Sequence, residues 1–270
     1  MIGVFDSGLG GLTILKEIRK KLPQYNYLYL GDTLHVPYGN RSDEAVFDLT
    51  KNACDYLFSN GCTLIILACN TASAKALRRL QREYLPEKRK EIGEAINILG
   101  VIHPVAEFVA KKAAGKVGVI GTRGTINSKA YVVELKNQRD EIEIVQQATP
   151  LLVPLIEEGQ IDSVEIVSVL KEYLEELKRK QIKTLILGCT HYPLIIEKIK
   201  DEMNGCDIPH PGIIVADSLA QYLDRHLEYK NSLETGGKIE YLVTDYSENF
   251  QNMAEKFLGE KINIKKVTLN

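Results

Sequence analysis

Two segments of the chain have nearly the same sequence: residues 63–73 are TLIILACNTAS, and residues 184–193 are TLILGCTHYP. Each begins with a short apolar, β-branched run, which is typical of a buried strand. Each run stops at a cysteine followed by small polar residues that can begin a helix. Cys69 and Cys189 are therefore predicted at the carboxyl ends of two strands. Two thiols that face each other there across a cleft could remove a proton and return one.

The beginnings of the two halves are also similar. Residues 2–8 are IGVFDSG and residues 117–123 are VGVIGTR, and their separation is close to that between Cys69 and Cys189. This repeat predicts an internal duplication, with two α/β units related by approximate two-fold symmetry. Ligands bind outside the carboxyl ends of the strands in open α/β sheets. Both cysteines and both glycine-containing turns are therefore predicted to border one crevice.

Short apolar strands alternate with amphipathic segments along the chain, which is the pattern of βαβ units on a parallel sheet. We predict an α/β fold of two pseudo-symmetric, doubly wound α/β domains with mainly parallel sheets facing a central cleft. Residues 1–98 plus 212–270 form the first domain, and residues 99–211 form the second. The predicted strands are Ile2–Phe5, Tyr27–Leu30, Thr63–Leu67, Ile96–Val101, Lys116–Ile120, Glu143–Gln147, Thr184–Leu187, Ile213–Val215 and Lys238–Val243.

Two helices are predicted from the spacing of apolar residues. One is near residues 248–258, and the other spans residues 164–180. In the second, apolar residues recur at three- and four-residue intervals, which places them on one buried face. These residues are Val164, Val167, Leu170, Leu174 and Leu177.

Composition argues against a polyanionic partner. Charged residues make up 26% of the 270-residue chain, and the formal net charge is −2. The one basic stretch, from Lys75 to Lys90, is interleaved with Glu83 and Glu87, as on a solvated helix face. A nucleic-acid partner is therefore not expected.

The first apolar run begins at Ile2, and no apolar run approaches the roughly 18 residues that would span a bilayer. We expect a cytoplasmic protein with no membrane partner. The chain has five cysteines and no Cys-x-x-Cys pair, so neither a disulfide framework nor a structural zinc site is expected. We assign Cys54, Cys62 and Cys206 no chemical role.

A glycine-rich turn at residues 6–11, DSGLGG, follows the first predicted strand. It matches neither the dinucleotide-binding pattern nor the phosphate-binding loop of nucleotide hydrolases, which disfavours a nucleotide. Its backbone amides could hold an anion, or Ser7 could simply cap the next helix. A carboxylate at a buried strand end is costly unless it is used or paired, so Asp6 is a candidate functional residue.

The two cysteines have different candidate helpers. A free thiol has a pKa of about 8.5, so a helix N-terminus or a nearby base is needed to make it reactive at neutral pH. Asp6 is a candidate base at one site and His191 at the other. Glu157 or its neighbour Glu158 could orient His191, although such an acidic pair is usually a solvated turn.

Four motifs in this order resemble the glutamate racemases: DSG at residues 6–8, PYG at 37–39, ACNTA at 68–72 and GCTHYP at 188–193. The resemblance covers nearly the whole chain. It implies a cofactor-independent enzyme that interconverts L- and D-glutamate and supplies D-glutamate for peptidoglycan. It also implies a homodimer, since dimers are common among these enzymes.

The resemblance further implies roles for individual residues. Cys69 and Cys189 would be the two acid/base catalysts, on opposite faces of the substrate. Cys69 would act on the D enantiomer with Asp6 assisting, and Cys189 on the L enantiomer with His191 assisting, supported by Glu157. Substrate-binding positions would be Asp6, Ser7, Tyr38, Gly39, Asn70, Thr71, Thr122, Thr125, Thr190 and His191.

Chemistry supports a two-thiol mechanism. The Cα proton of an amino acid is so weakly acidic that a positioned thiolate must remove it while developing carboxylate charge is stabilised. Inversion needs a proton donor on the opposite face, which a second thiol supplies without any cofactor or metal. A mechanism with one base would leave the duplication unexplained.

Two departures from the family pattern and three rival functions remain. His35 stands where many relatives have Arg, and residues 82–95 form a longer segment than in compact relatives. The rivals are an aspartate racemase, a cysteine hydrolase that uses Cys189 with His191, and a two-lobed binding protein for acidic amino acids. The hydrolase leaves Cys69 unexplained, and the binding protein predicts affinity without chemistry.

Overall fold

The structure is a computed structural model, and it describes residues 1–269. Strands and helices alternate along the chain, as predicted. The strands are β1 Ile2–Asp6, β2 Tyr27–Gly31, β3 Leu64–Leu67, β4 Asn97–Gly100, β5 Val117–Gly121, β6 Ile144–Ala148, β7 Thr184–Gly188, β8 Ile239–Val243 and β9 Ile264–Lys266. Of these, the short β9 is absent from the sequence-based prediction.

The α-helices lie between and beyond these strands. They are α1 Gly11–Lys21, α2 Asp43–Ser59, α3 Asn70–Lys75, α4 Leu77–Arg79, α5 Leu85–Ile92, α6 Ile102–Lys112, α7 Arg123–Asn127, α8 Ala130–Gln138, α9 Leu152–Glu157, α10 Val164–Arg179, α11 Ile196–Glu202, α12 Pro211–Arg225, α13 Leu227–Ser232 and α14 Glu248–Leu258. A π-helical turn spans Leu80–Tyr84, and 3₁₀ turns span Tyr38–Asn40 and Tyr192–Ile195.

Two parallel sheets form the framework. The first has six strands in the order β4-β3-β1-β2-β8-β9, and the second has three in the order β6-β5-β7. Every pairing between these strands is parallel. Strands β1, β2, β3, β5 and β7 are buried along their whole length, which explains why they read as continuous apolar runs.

The two sheets share one topology, which supports the duplication. In the first sheet, β1 lies between β3 and β2, and in the second, β5 lies between β7 and β6. The registers correspond as well, because Phe5 pairs with Leu67 and Ile120 pairs with Leu187. The predicted fold class is confirmed, and each cysteine follows the strand beside the central strand of its unit. We call the parts built on the six- and three-stranded sheets the first and second lobes.

One predicted strand is wrong. Residues 213–215 form no strand but belong to the helix α12, which packs against α1 of the first lobe. Three apolar β-branched residues in a row imitate a buried strand, but Pro211 occupies the first turn of the helix. The His210 ring caps that turn by accepting a hydrogen bond from the Ile213 amide, at 3.4 Å.

The division into lobes follows the sheets. We propose the domain limits given above, residues 1–98 plus 212–270 and residues 99–211; the first of these limits falls inside β4, which pairs with β3 of the first sheet. One apolar core cluster contains residues of both lobes, including Val4 and Ile66 from the first and Val119 and Ile186 from the second. The lobes are therefore joined by a shared apolar core.

The longer segment at residues 82–95 is anchored by charge. It contains the end of the π-helical turn and α5, and its Tyr84 and Lys88 both contact Asp55 of α2, at 2.8 and 3.0 Å. Those contacts and Lys51 lower the pKa of Asp55 although its partial burial raises it. The segment therefore packs against the C-terminal part of α2. Within residues 1–269, no helix is both long and apolar enough to cross a membrane.

The apolar face of α10 differs from the prediction at one position. Leu170, Leu174 and Leu177 are fully buried, as predicted, and Ile166 is buried with them. Val164 is instead 81% exposed, because it is the first helical residue after the Ser163 cap and points away from that face.

We expect Leu174→Ala to lower the free energy of unfolding by about 2–5 kcal/mol, since it empties a fully buried site. Val164→Ala on the same helix is the matched control and should change it by less than about 0.5 kcal/mol. Urea unfolding of the two variants measures both values. Equal losses would show that the buried face of α10 is misassigned.

Candidate active site

The two predicted cysteines lie at equivalent places in the two lobes. Cys69 comes two residues after β3, and Cys189 comes directly after β7. Both are carboxyl ends of strands that flank the central strands β1 and β5. Each side chain is only 5% exposed, so both thiols are withdrawn from bulk water.

Cys69 lies where the sequence predicts, at the N-terminus of a helix. Its sulfur accepts a hydrogen bond from the Ala72 amide of α3, at 3.4 Å, and its thiol donates to Ser7 Oγ, at 3.5 Å. Burial raises the pKa of Cys69 to about 12, the charge of Asp6 raises it too, and the hydrogen bonds to Ser7 and Ala72 lower it less. Cys69 is therefore held as a protonated thiol, a proton donor.

Cys189 has a different environment. No α-helix begins directly after it; a turn leads to the 3₁₀ segment at Tyr192. Its sulfur lies 3.6 Å from His191 Nδ1, and His191 Nε2 lies 3.0 Å from Glu157 Oε1. The structure thus places a thiol, an imidazole and a carboxylate in one chain of contacts, with the carboxylate supplied by α9.

This chain favours a charged imidazole. Burial lowers the pKa of His191, but the hydrogen bonds and negative charges of Cys189 and Glu157 outweigh burial and raise that pKa well above its ordinary value. A protonated His191 places a positive charge 3.6 Å from the Cys189 sulfur. The two thiols therefore differ: one is held as an acid, and the other is placed beside a cation.

Asp6 is the last residue of β1 and is fully buried. Its carboxylate accepts hydrogen bonds from loops of both lobes. Its Oδ2 accepts the Gly8 amide at 2.9 Å, and its Oδ1 accepts the hydroxyl of Thr190 in the second lobe, at 3.2 Å. Burial raises its pKa, while the charge of His191 and the hydrogen bonds to Gly8, Gly11 and Thr190 lower it by less.

Two expectations about Asp6 are thereby refined. The amides of the glycine-rich turn, predicted to suit an anion, are used by the Asp6 carboxylate itself. Within residues 1–269, Asp6 makes no hydrogen bond to Cys69, and its effect on that thiol is electrostatic. The helix α1 begins after Gly10 without a side-chain cap, so Ser7 does not cap it.

Gly10 lies where the two lobes approach each other closely. A Cβ at this position would lie 2.3 Å from Thr190 Oγ1 and 2.6 Å from His191 Nδ1. Its backbone conformation is an ordinary helical one, so the glycine is required by space and not by its torsion angles. The base of the cleft is therefore tightly closed around the Cys189 loop.

Three threonine hydroxyls meet across the boundary between the lobes. Thr71 of α3 lies 2.9 Å from Thr122 and 3.3 Å from Thr125 of the second lobe, between oxygen atoms. Gly39 lies against Thr122, where a Cβ would be 2.7 Å from the Thr122 Cβ. These predicted binding residues are thus brought together, and the three threonine hydroxyls lie within hydrogen-bond distance of one another.

Tyr38 and His35 both contact the buried carboxylate of Asp32, which was not predicted from the sequence. Asp32 is fully buried directly after β2, and it accepts hydrogen bonds from the Tyr38 hydroxyl at 2.6 Å and the Thr244 hydroxyl at 2.7 Å. His35 Nδ1 lies 2.9 Å from the same carboxylate. The Tyr38 hydroxyl is therefore engaged within the first lobe. A carboxylate after a strand, as at Asp6, is the signal that could have revealed Asp32.

The described residues offer no metal-binding cluster: residues 1–269 contain no group of three or more His, Cys, Asp or Glu side chains arranged to hold a metal ion. The polar lining consists of hydroxyl, amide, thiol and imidazole groups supplied by Ser7, Asn70, Thr71, Thr122, Thr125, Cys69, Cys189, Thr190 and His191. Such groups can transfer protons and donate hydrogen bonds to carboxylates.

The duplicated α/β fold, with one buried thiol from each lobe, indicates an α/β protein whose site lies between two related lobes. Sequence comparison identifies the family. The Asp/Glu/Hydantoin racemase family matches residues 13–221, and the chain belongs to this family. A protein named glutamate racemase from Sulfurihydrogenibium sp. is 40% identical over 271 residues, covering 100% of this chain and 97% of its own.

Solved structures agree. The glutamate racemase isoform RacE1 from Bacillus anthracis has a TM-score of 0.89 at 34% identity, covering 100% of this chain and 97% of that one. The glutamate racemase from Francisella tularensis, in complex with D-glutamate, has a TM-score of 0.86 at 33% identity, with coverages of 100% and 97%. The resemblance to glutamate racemases is confirmed.

We expect Glu157→Gln to lower the pKa of His191, because the variant removes a negative charge 3.0 Å from the ring. A histidine with a raised folded-state pKa stabilises the fold fully below the unfolded value of about 6.5, and this contribution is lost as pH rises through the folded pKa. The variant should therefore lose that stability at a lower pH. An NMR titration of the His191 ring and thermal unfolding at several pH values measure both effects.

Glu158→Gln is the matched control. Glu158 is the next residue along and is exposed, so its variant should leave the His191 titration unchanged. An unaltered His191 pKa in Glu157→Gln would contradict the contact between the imidazole and the carboxylate.

Proposed function

We propose that this protein is a glutamate racemase that uses Cys69 and Cys189 as its two acid/base catalysts and needs no cofactor. The observation that carries the proposal is the pair of buried thiols at equivalent strand ends of two related sheets, one from each lobe. Glutamate is favoured as substrate because relatives and solved structures that share nearly the full length are named glutamate racemases, and one was solved with D-glutamate.

The reaction is a proton exchange between two faces of one carbon. The Cys189 thiolate removes the Cα proton of L-glutamate and becomes a thiol, and the Cys69 thiol donates its proton to the opposite face and becomes a thiolate. D-glutamate results, and the reverse reaction exchanges the two roles. No oxidant, reductant or leaving group is needed, since one proton is removed and one is added.

The helpers are suited to these roles. Glu157 holds His191 in place, and the protonated His191 stabilises the Cys189 thiolate by neutralising its negative charge. Burial and, to a smaller extent, the nearby charge of Asp6 raise the pKa of Cys69 and so keep it protonated until the substrate carbanion accepts the proton. Proton transfer from such placed groups contributes about 10²–10⁴-fold to a rate.

Substrate binding would use donor groups instead of cations. In this proposal the two carboxylates of glutamate are held by Ser7, Asn70, Thr71, Thr190 and the Tyr38–Gly39 backbone, with Thr122 and Thr125 at the mouth. The threonine hydroxyls bond one another, so on binding a carboxylate they would exchange neutral hydrogen bonds for charge-assisted ones, which are roughly twice as strong.

We further propose that the protein acts in the cytoplasm, that it is a homodimer and that it supplies D-glutamate for peptidoglycan. The described cysteines are all free thiols, as a reducing compartment requires, and the homodimer rests on the family resemblance. Neither nucleic acid nor membrane is a proposed partner. Light scattering of the purified protein measures the oligomeric state.

Purified protein incubated with L-glutamate in D₂O, without pyridoxal phosphate or metal, should lose its circular dichroism signal and its Cα proton resonance. L-aspartate, tested in parallel, should react far more slowly. Faster loss with L-aspartate would identify an aspartate racemase. Saturable binding of glutamate with neither signal lost would identify a binding protein.

Cys69→Ala and Cys189→Ala should each lower racemisation in both directions by at least about 100-fold, because each removes one of the two proton-transfer groups. Any remaining deuterium exchange should be confined to D-glutamate in Cys189→Ala and to L-glutamate in Cys69→Ala. Cys54→Ala, which changes a buried thiol of α2, is the control and should racemise normally. Full activity of Cys189→Ala would rule out the two-thiol mechanism.

A further inference from the structure

Tyr131 is a buried tyrosine of α8 that contacts the loops of both thiols. Its side chain is 1% exposed, and its hydroxyl donates to Asn70 Oδ1 at 2.7 Å, across the boundary between the lobes. Its ring lies against Gly188, where a Cβ would be 3.2 Å from Tyr131 Cε2. Gly188 precedes Cys189 and Asn70 follows Cys69, so one side chain touches both cysteine loops.

The hydroxyl of Tyr131 fixes the orientation of the Asn70 amide. A buried phenol must place its proton on an acceptor, and within residues 1–269 its hydrogen-bond partner is the Asn70 side chain. The oxygen of that amide must therefore face Tyr131, which directs Nδ2 the other way. Among the described residues Nδ2 donates to no protein group, and it is not one of the fully buried atoms that lack a partner, so it keeps some exposed surface.

Asn70 is well placed to use that free nitrogen. It is the first residue of α3, beside the Cys69 cap, and only 5% of it is exposed. A flipped amide would present an oxygen, which repels carboxylates, and would leave the Tyr131 proton without an acceptor. Burial raises the pKa of Tyr131, and negative charge on Cys189 raises it further, so the phenol stays a donor when Cys189 is a thiolate.

We propose that Tyr131 is a positioning residue: it holds the Asn70 amide with Nδ2 directed into the cleft as a donor to a carboxylate of the substrate. The proposal rests on the proposed racemase function. It assigns to the second lobe a direct part in shaping the binding surface beside the first lobe's thiol. Tyr131 does not itself touch the substrate.

Tyr131→Phe tests the proposal because it removes the hydroxyl alone. We expect KM to rise about ten-fold or more for both L- and D-glutamate, since a hydrogen bond to a charged group is worth about 1.5–3 kcal/mol and each 1.4 kcal/mol is ten-fold. We expect a smaller change in kcat. Calorimetric titration with glutamate should show weaker binding by a similar factor.

Tyr27→Phe is the matched control. It removes another buried tyrosine hydroxyl, whose hydrogen bond to the Leu22 carbonyl is 2.6 Å long, at the opposite end of β2 from the site. Its kinetics should be those of the wild type. Equal kinetic effects of the two variants would mean that Tyr131 contributes to stability alone, and would overturn the proposal.

A double-mutant cycle with Asn70→Ala tests whether Tyr131 acts through the amide. In the Asn70→Ala background, adding Tyr131→Phe should change KM by less than about two-fold, since there is no amide left to orient. Additive losses would overturn the proposal. If wild-type protein bound glutamate without racemising it, the proposed function would fail, while the calorimetric comparison would still decide the role of Tyr131.

A measurement on the wild-type protein decides the matter if Tyr131→Phe does not fold. The side-chain amide protons of Asn70, observed by NMR, should shift when glutamate is added, because Nδ2 is the donor that meets the ligand. Amide protons that do not respond to saturating glutamate would overturn the proposal.

Discussion

The buried carboxylate of Asp6 is the interaction on which the site depends. A charge without water is costly, and two backbone amides, a hydroxyl and the nearby imidazole offset that cost only in part, so the pKa of Asp6 stays raised. Because the hydroxyl belongs to Thr190 and the amides belong to the other lobe, satisfying Asp6 requires the lobes to meet in one arrangement. Gly10 allows that meeting, since any side chain there would push the Cys189 loop away. The position of each thiol relative to the other depends on this contact between the lobes.

Duplication built the scaffold, but the surroundings of the two thiols have diverged. The strand orders β3-β1-β2 and β7-β5-β6 match, and each cysteine keeps its place relative to the central strand. Cys69 keeps the capping contact with a helix amide, whereas Cys189 contacts a histidine. A repeated fold therefore does not imply a repeated microenvironment, because the loops beyond the strand ends carry their own sequences.

The periodicity of the chain was sufficient to predict every strand of the two sheets except β9, and the strand-end cysteines were found from local sequence alone. The error at residues 213–215 arose because an apolar β-branched triplet fits a strand or a buried helix, and Pro211 decided between them. Contacts between lobes, such as those of Thr71 with Thr122 and of Tyr131 with Asn70, join residues more than 50 positions apart. No local pattern encodes such pairs; they follow from how the two sheets dock. Asp32 was missed because its partners come from a loop and from the distant Thr244.

Thermodynamics limits the effect that the unequal surroundings of the two thiols can have on the reaction. Mirror-image amino acids have the same free energy in water, so for the proposed reaction the equilibrium constant is one, and the two values of kcat/KM must be equal. The imidazole beside one sulfur and the carboxylate near the other cannot favour either enantiomer at equilibrium. They can only decide which protonation form of the free protein is more abundant and how tightly each enantiomer saturates it. An asymmetric site on a symmetric scaffold thus governs which protonation form the protein adopts between turnovers, while the final mixture stays racemic.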